Sequence, residues 1–193
     1  MRCTRHSAAV LAFAALALLA ERATAQGVPG RPSRGQGAAT PTSAQALRVA
    51  RAIILVARYA ALITQDVGSG AAARTIDPAP PDSAMVVRFV TNPRSRKVRQ
   101  ISRDSRVALY YFDAKGLRYV TVYGRAREVR DGATKRRLWY AEWTPFYPGR
   151  ERDATLYEVI PERAEVVRPG DGITGDTITW ATPTVRFPRR VRR

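Results

Sequence analysis

The order of residue types predicts a mostly β protein with flanking helices, and three observations carry that reading. Short runs rich in β-branched and aromatic residues recur through the chain: Tyr59 to Thr64, Met85 to Val90, Val107 to Phe112, Leu117 to Tyr123 and Tyr157 to Val167. Clusters of Gly, Pro and Asp separate them, among them Asp66-Val67-Gly68-Ser69-Gly70 and Asp113-Ala114-Lys115-Gly116. Only a few stretches have helical periodicity, and they lie at the ends of the strand runs rather than between all of them.

The chain opens on a segment that is not part of this pattern. Arg2 and Arg5 precede an uninterrupted apolar run from Ala8 to Ala20, and Ala23-Thr24-Ala25 supplies a small-residue cleavage site. Residues 1–25 thus have the layout of a secretory signal peptide, and the protein is expected to be exported, periplasmic or secreted. The run is shorter than the roughly 20 apolar residues a membrane span requires, and no later segment is longer, so no transmembrane span is expected. Removal of residues 1–25 takes away Cys3 and His6, the only cysteine and the only histidine. The exported chain would then hold no disulfide, no Cys or His metal site, no thiol nucleophile and no His base. A Ser-His-Asp triad is excluded with them. An enzyme built from the remaining residues would take its difficult chemistry from a bound cofactor, and no catalytic side chain is assigned.

Charge adds a second constraint. The chain carries a formal +17, and loss of Arg2, Arg5, Arg22 and Glu21, three positive charges against one negative, leaves +15. Such an excess favours polyanions. Only Lys97, Lys115 and Lys135 among the 33 basic residues are lysine, however, and so lopsided an arginine usage reads as compositional background; no specific nucleic-acid partner is expected. The exception is Arg186 to Arg193, a dense basic end expected to be mobile and to lie outside the fold.

Residues 26–42, rich in Gly, Pro, Ser, Thr and Gln, read as a flexible linker. Ser43 is a plausible cap for a helix to about Arg58, with Leu47, Ala50, Ile54 and Ala57 as an apolar stripe broadened by Val49, Ile53 and Val56. Tyr59 to Thr64 and the run carrying Arg74 form a pair of strands, Asp77 to Asp82 must be a loop, and Met85 to Val90 is the next strand. A hairpin follows, its second strand bent or bulged at Gly124. Asp131 caps a helix containing Leu138 and Trp139, an aromatic loop runs from Trp143 to Gly149, and the strand Tyr157 to Val167 has a bulge or edge at Pro161. Thr177 to Trp180 is a candidate last strand.

The stretch with the most chemical content is Thr91-Asn92-Pro93-Arg94-Ser95-Arg96-Lys97. Asn92 followed by Pro93 predicts a helix that starts there. Arg94, Arg96 and Lys97 then fall in its first turn, where the macrodipole is positive and cations are unfavourable by about 0.3–1 kcal/mol each. An anion bound at that end removes the conflict, and a phosphate suits both the guanidinium fork and the ammonium.

Phe89 to Ile101, then Asp104 to Leu109, then Tyr119 to Ala126, are similar in kind and order to the FMN-binding split-barrel family of pyridoxamine 5'-phosphate oxidases and general stress protein 26. Leu138-Trp139, Trp143, Phe146-Tyr147-Pro148-Gly149, Asp153 and Leu156 resemble the stress-protein branch, and the likeness covers about residues 45–168. It implies a split β-barrel over residues 43–168, closed so that no strand edge is left, with 169–193 as a C-terminal extension. It also implies that Arg74, Ser95, Arg96 and Lys97 hold the phosphate of FMN, with Val90 and Thr91 beside the flavin ring or ribityl chain. The implied function is a flavin-dependent oxidoreductase acting on an unidentified small molecule, commonly a homodimer. Oxidation of pyridoxamine phosphate itself is not implied: the second basic residue expected after Arg74 is replaced by Asp77-Pro78-Ala79-Pro80, the Arg-His pair near the C-terminus is absent, and Tyr119 stands where such oxidases have glutamine. Branches of the fold that bind the deazaflavin F420 or haem are alternatives, the latter disfavoured without His. So is a non-enzymatic binder of flavin or a polyanion.

Overall fold

A computed structural model describes residues 43–66, 68 and 70–188. The signal-peptide and linker readings and Arg189 to Arg193 lie outside these residues. The elements are α1 (Ser43–Ala57), β1 (Ala60–Asp66), β2 (Gly70–Ile76), β3 (Val87–Thr91), α2 (Arg96–Arg103), β4 (Arg106–Asp113), β5 (Arg118–Val129), α3 (Gly132–Arg137), β6 (Thr155–Val167) and β7 (Thr184–Arg186). Short 3-10 turns occur at Ala141–Trp143, Arg150–Arg152 and Pro169–Asp171.

All the strand pairs are antiparallel, in the order β2-β1-β4-β5-β6-β3, with β7 also paired to β6. The long strand β6 carries β3 along its first half and β7 along its second, both opposite β5. The mostly β architecture with flanking helices is as expected, but no ladder joins β2 to β3, so the sheet stays open. The reason lies in the chain path. After five residues β3 turns at Asn92, and α2 crosses from it to β1, where Gln100 bonds to Thr64 and Asp66.

Alternation along the strands puts Leu62, Leu109, Tyr111, Val120, Val122, Phe89, Tyr157, Val159 and Val166 into one core, on which α1 lays Val49, Ala50, Ile53 and Ile54. Val56, expected to broaden that stripe, is 58% exposed. It lies in the last turn of α1, about 120° round the helix from Ala50. A second cluster of Val129, Trp143 and Leu156, joined by Val90, Trp139 and Tyr147, covers the opposite face of the sheet near β3.

The bulge at Gly124 is present: the β5–β6 register shifts there, with Gly124 opposite Pro161, and a Cβ on Gly124 would run into the Ile160 carbonyl. Three boundaries differ from the expectations. The helix after Asn92 begins only at Arg96, because the Asn92 Oδ1 accepts from Arg94 N at 2.8 Å and its carbonyl from Ser95 N at 3.0 Å, closing a turn that leaves Ser95 extended. Asp131 caps α3 as expected, accepting from Thr134 N at 2.7 Å, but the helix ends at Arg137, before Leu138 and Trp139. Thr177 to Trp180 is a turn, since the Asp176 carboxylate accepts the N–H groups of Ile178 and Thr179 that a ladder would need.

The last strand is instead Thr184–Arg186, and with it part of the supposed basic tail joins the fold. Phe187 packs on the core and donates its N–H to Glu162 O at 3.0 Å. Ile173 and Val185, both beyond residue 168, are buried in the same molecule. No helix among the described residues is long and apolar enough to cross a membrane.

Candidate functional site

The end of β3, the start of α2 and the middle of β2 meet at one corner of the sheet. On β2, Arg74 lies opposite Leu62, with its side chain on the core face. Its guanidinium is held by three acceptors: Nη1 donates to Thr64 Oγ1 at 2.6 Å and Leu62 O at 3.3 Å, and Nη2 to Gln100 Oε1 at 2.7 Å. That leaves two of its five N–H donors for something else. Gln100 is buried in α2 and serves as the hub: its Oε1 also accepts from Thr64 Oγ1 at 2.7 Å, and its Nε2 donates to Asp66 Oδ2 at 2.8 Å.

Lys97, in the first turn of α2, donates to Thr91 Oγ1 at 3.0 Å, and the Ser95 hydroxyl lies 3.3 Å from the same oxygen. Ser95 makes no side-chain cap bond to the helix, so its hydroxyl is turned to this corner. Arg96 is exposed beside it. The three cations feel one another. Burial, and then the charge of Arg96, lower the pKa of Arg74 below its ordinary value, against a weaker pull upward from Asp66. Burial, and then the charge of Arg74, do the same to Lys97. Neither Arg74, Arg96 nor Lys97 forms an ion pair with a described acid.

The structure therefore brings together Arg74, Thr91, Ser95, Arg96 and Lys97, which are scattered over three elements. It turns Val90 away: alternation on β3 sends its side chain to the Trp143 cluster on the opposite face. Arg94 is exposed in the preceding turn.

Four residues were missed in the sequence. Gln100, Thr64 and Asp66 hold the arginine, and Tyr147 comes in from the aromatic loop. Burial raises the Tyr147 pKa, and hydrogen bonds with the Asn92 backbone and the Thr91 side chain pull it partly back. Thr64 had a signal, a polar residue at a buried position of a strand otherwise apolar on that face, and Gln100 stands four positions after Arg96 on the same side of α2. Tyr147 was marked only through the resemblance of the aromatic stretch to the stress-protein branch, which implies a place near the flavin or the dimer contact, because nothing local links it to Thr91.

Chemically, the corner is a cationic cradle with hydroxyl donors and the N-terminal N–H groups of an eight-residue helix, and Asp66, bonded to Gln100, is the acid whose charge acts on Arg74. Its donor set fits a phosphate. No group of three or more His, Cys, Asp or Glu able to hold a metal occurs among the described residues.

Solved structures with the same fold include a protein related to general stress protein 26 from Clostridium acetobutylicum, 16% identical, with a TM-score of 0.62 over 76% of this chain and 96% of that one. A pyridoxamine 5'-phosphate oxidase-related, FMN-binding protein from Nostoc punctiforme is 17% identical, with a TM-score of 0.50 over 76% of this chain and 95% of that one. A heme-binding protein from Mycobacterium smegmatis is 16% identical, with a TM-score of 0.53 over 66% of this chain and 54% of that one. No curated protein matches the chain. Residues 47–172, more than half of the chain, match the family described as pyridoxamine 5'-phosphate oxidase like, and the protein belongs to that family.

Proposed function

We propose that this protein binds FMN by its phosphate and is an exported flavin-dependent oxidoreductase. The observation that carries the reading is the gathering of Arg74, Arg96 and Lys97 at one corner without a described ion-pair partner. A fold that lowers the pKa of two of its own cations by burial and mutual repulsion is arranged for an anion to complete it. Arg74, held by Thr64, Leu62 and Gln100, and Lys97, held by Thr91, would grip the phosphate, with Ser95 and Arg96 adding donors. The flavin, when bound, supplies hydride or electron transfer; the chain supplies orientation and charge. The Nostoc relative is described as FMN-binding, which supports the choice of flavin. F420 presents a phosphate to the same cations and is the second reading. Haem has a described relative as well, but residues 43–188 contain neither His nor Cys as an axial ligand.

Export, with a mature chain from near Gln26, and a homodimer belong to the same proposal. The outward face of β4 and β5 supports the dimer: Tyr110 stacks on Phe112 with ring centroids 6.4 Å apart and meets Tyr119 at a tilt with centroids 5.7 Å apart, and Phe112 is 49% exposed. Light scattering reads the dimer, and N-terminal sequencing of exported protein reads the cleavage; retention of Met1 would count against it.

The deciding experiment is a flavin titration followed by absorbance. Lys97→Ala and Arg74→Ala should each weaken FMN by about 10- to 100-fold, the loss of one or two charge-assisted hydrogen bonds. Riboflavin, which lacks the phosphate, should bind less tightly to the parent and respond little to either change. Arg99→Ala and Arg103→Ala should leave FMN affinity nearly unchanged. Equal losses at all four positions would assign the effect to general charge, and absence of FMN binding by the parent protein would end the flavin reading.

A further inference from the structure

Beyond β6 the chain makes an excursion, residues 174–183, between two fixed points. At its entry, Ile173 is buried and exchanges backbone hydrogen bonds with Arg168 at 2.7 and 3.1 Å. At its exit, Pro183 O accepts from Val166 N at 3.1 Å, and Val185 is buried in β7. The loop between is held by its own bonds. The Asp176 Oδ1 accepts from Ile178 N, Thr179 N and Thr179 Oγ1 at 3.0, 2.7 and 2.8 Å. Asp176 N donates to Ala181 O at 2.9 Å, and Trp180 N to Asp176 O at 2.8 Å.

The tip of this braced loop carries the two most exposed large apolar side chains among the described residues, Ile178 at 87% and Trp180 at 83%. Trp180 also has φ +58°, a region in which Gly or Asn is at ease and a bulky side chain is strained. The other two tryptophans are used by the fold: Trp143 is buried with its Nε1 on Asp77 O, and the Trp139 Nε1 donates to Thr144 Oγ1. Trp180 has no such use within the described residues, so its size and its strained backbone serve no packing. The chain from Ile173 onward is also cationic, with five arginines (Arg186, Arg189, Arg190, Arg192 and Arg193) against the single Asp176. An amphipathic indole beside an aliphatic side chain, followed by arginines, is the chemistry of insertion at a charged bilayer surface.

We infer that the 174–183 loop docks this protein on a membrane rich in anionic lipid, with Trp180 and Ile178 entering the headgroup and acyl boundary, and that the exposed Arg186 and the net positive charge of the sequence favour an anionic surface. A braced loop loses little conformational freedom on binding, which favours insertion of so small a patch. A basic stretch alone would bind any polyanion; the isoleucine and the strained tryptophan select a surface that also offers hydrocarbon. This inference does not depend on the flavin reading, since it uses none of the residues at the cationic corner.

The test is flotation of the full chain with vesicles of phosphatidylcholine containing phosphatidylglycerol, and with phosphatidylcholine alone. The variant is Ile178→Ser with Trp180→Asn, in which asparagine accepts the positive φ. Both proteins share residues 8–20, so any binding through that apolar run is common to them. The parent should partition onto the anionic vesicles, the variant about tenfold or more weakly at the same melting temperature, and raised salt should narrow the gap between lipid compositions. Independently of the variant's folding, bromine-labelled lipid should quench part of the parent's tryptophan fluorescence and blue-shift it. Equal partitioning of parent and variant would overturn the inference, as would absence of quenching in vesicle-bound parent. So would a loss of dimer, or of oligonucleotide binding, caused by the variant, because the loop would then face protein or nucleic acid.

Discussion

Two corners of the molecule use arginine in opposite ways. At the β3–β6–β5 end, Arg88 bonds to Asp82 at 2.9 Å and to Glu158 at 3.1 Å, and Arg127 reaches Glu158 at 2.6 Å. Glu158 is buried and satisfied by two guanidinium groups. At the α2 corner, Arg74, Arg96 and Lys97 converge on no described acid within ion-pair distance, and burial, followed by their mutual repulsion, lowers the pKa of Arg74 and Lys97. In a chain with 33 basic residues and 16 acidic ones, carboxylates are the scarce partner, and where they are placed separates structure from function. Cations that receive one hold the fold together, whereas Arg74 and Lys97, gathered beside Arg96 without one, form the proposed anion site.

The largest expected effect is at the neutralised corner. Glu158→Ala leaves Arg88, whose side chain is only 18% exposed, without its buried carboxylate, and should cost about 3 kcal/mol in urea unfolding. A cost under about 1 kcal/mol would break the comparison, because the ion pairs would then be no more than surface decoration. Gln100→Leu comes next. It takes one hydrogen-bond partner from each of Thr64, Arg74 and Asp66 and should cost about 2 kcal/mol, while weakening FMN without removing a charge. Unchanged FMN affinity in that variant would show that Arg74 needs no positioning.

Acid should weaken the neutralised corner. Partial burial raises the Asp82 pKa, but the N–H groups of Val86 and Ala84 and the Arg88 guanidinium outweigh it and hold the carboxyl below 3.8. A depressed folded value means that its stabilisation is present above about 3.8 and is lost as pH falls through the lower folded value. Melting curves from pH 5 to pH 2 should show a shallower decline for Asp82→Asn than for the parent, and parallel declines would refute the assignment.

The smallest effect has the opposite sign. Because burial and Arg74 depress the Lys97 pKa, the charged lysine costs stability below its lowered folded value, and the cost is relieved as pH rises toward 10.5. Lys97→Met should therefore stabilise the flavin-free protein at neutral pH, by about 0.5 kcal/mol given its partial exposure. The advantage should shrink at alkaline pH. A destabilised Lys97→Met would mean that the bond to Thr91 outweighs the repulsion, and that this corner is structural too.

Most strands could be read because a β-branched and aromatic run bounded by turn residues is a local signal, and β3 adds plain alternation, with Val87, Phe89 and Thr91 buried. Gly124 was legible for a similar reason: only glycine tolerates the approach of the Ile160 carbonyl at that bulge. The start of α2 was misplaced because Asn92-Pro93 has the same local signature for a turn as for a helix cap, and the turn won through the two bonds Asn92 makes. Thr177 to Trp180 looked like a strand for its β-branched residues, until the Asp176 carboxylate took the N–H groups. Arg186 and Phe187 looked like tail because their partners, Arg163 on β6 and the Glu162 carbonyl, lie more than twenty residues away.

By itself, then, the sequence determined the strands β1 to β6, the first helix, the capped turn at Asp131 and the cationic stretch Ser95-Arg96-Lys97, because each rests on bonds or periodicities confined to neighbours in the chain. The tertiary structure alone decided that the sheet stays open, that Val90 and Tyr147 pack in the Trp143 cluster while the Tyr147 hydroxyl reaches Thr91, and that Gln100 fixes Arg74. Those outcomes depend on which strand edges meet and which buried polar groups find partners across the fold, and no window of residues contains that information.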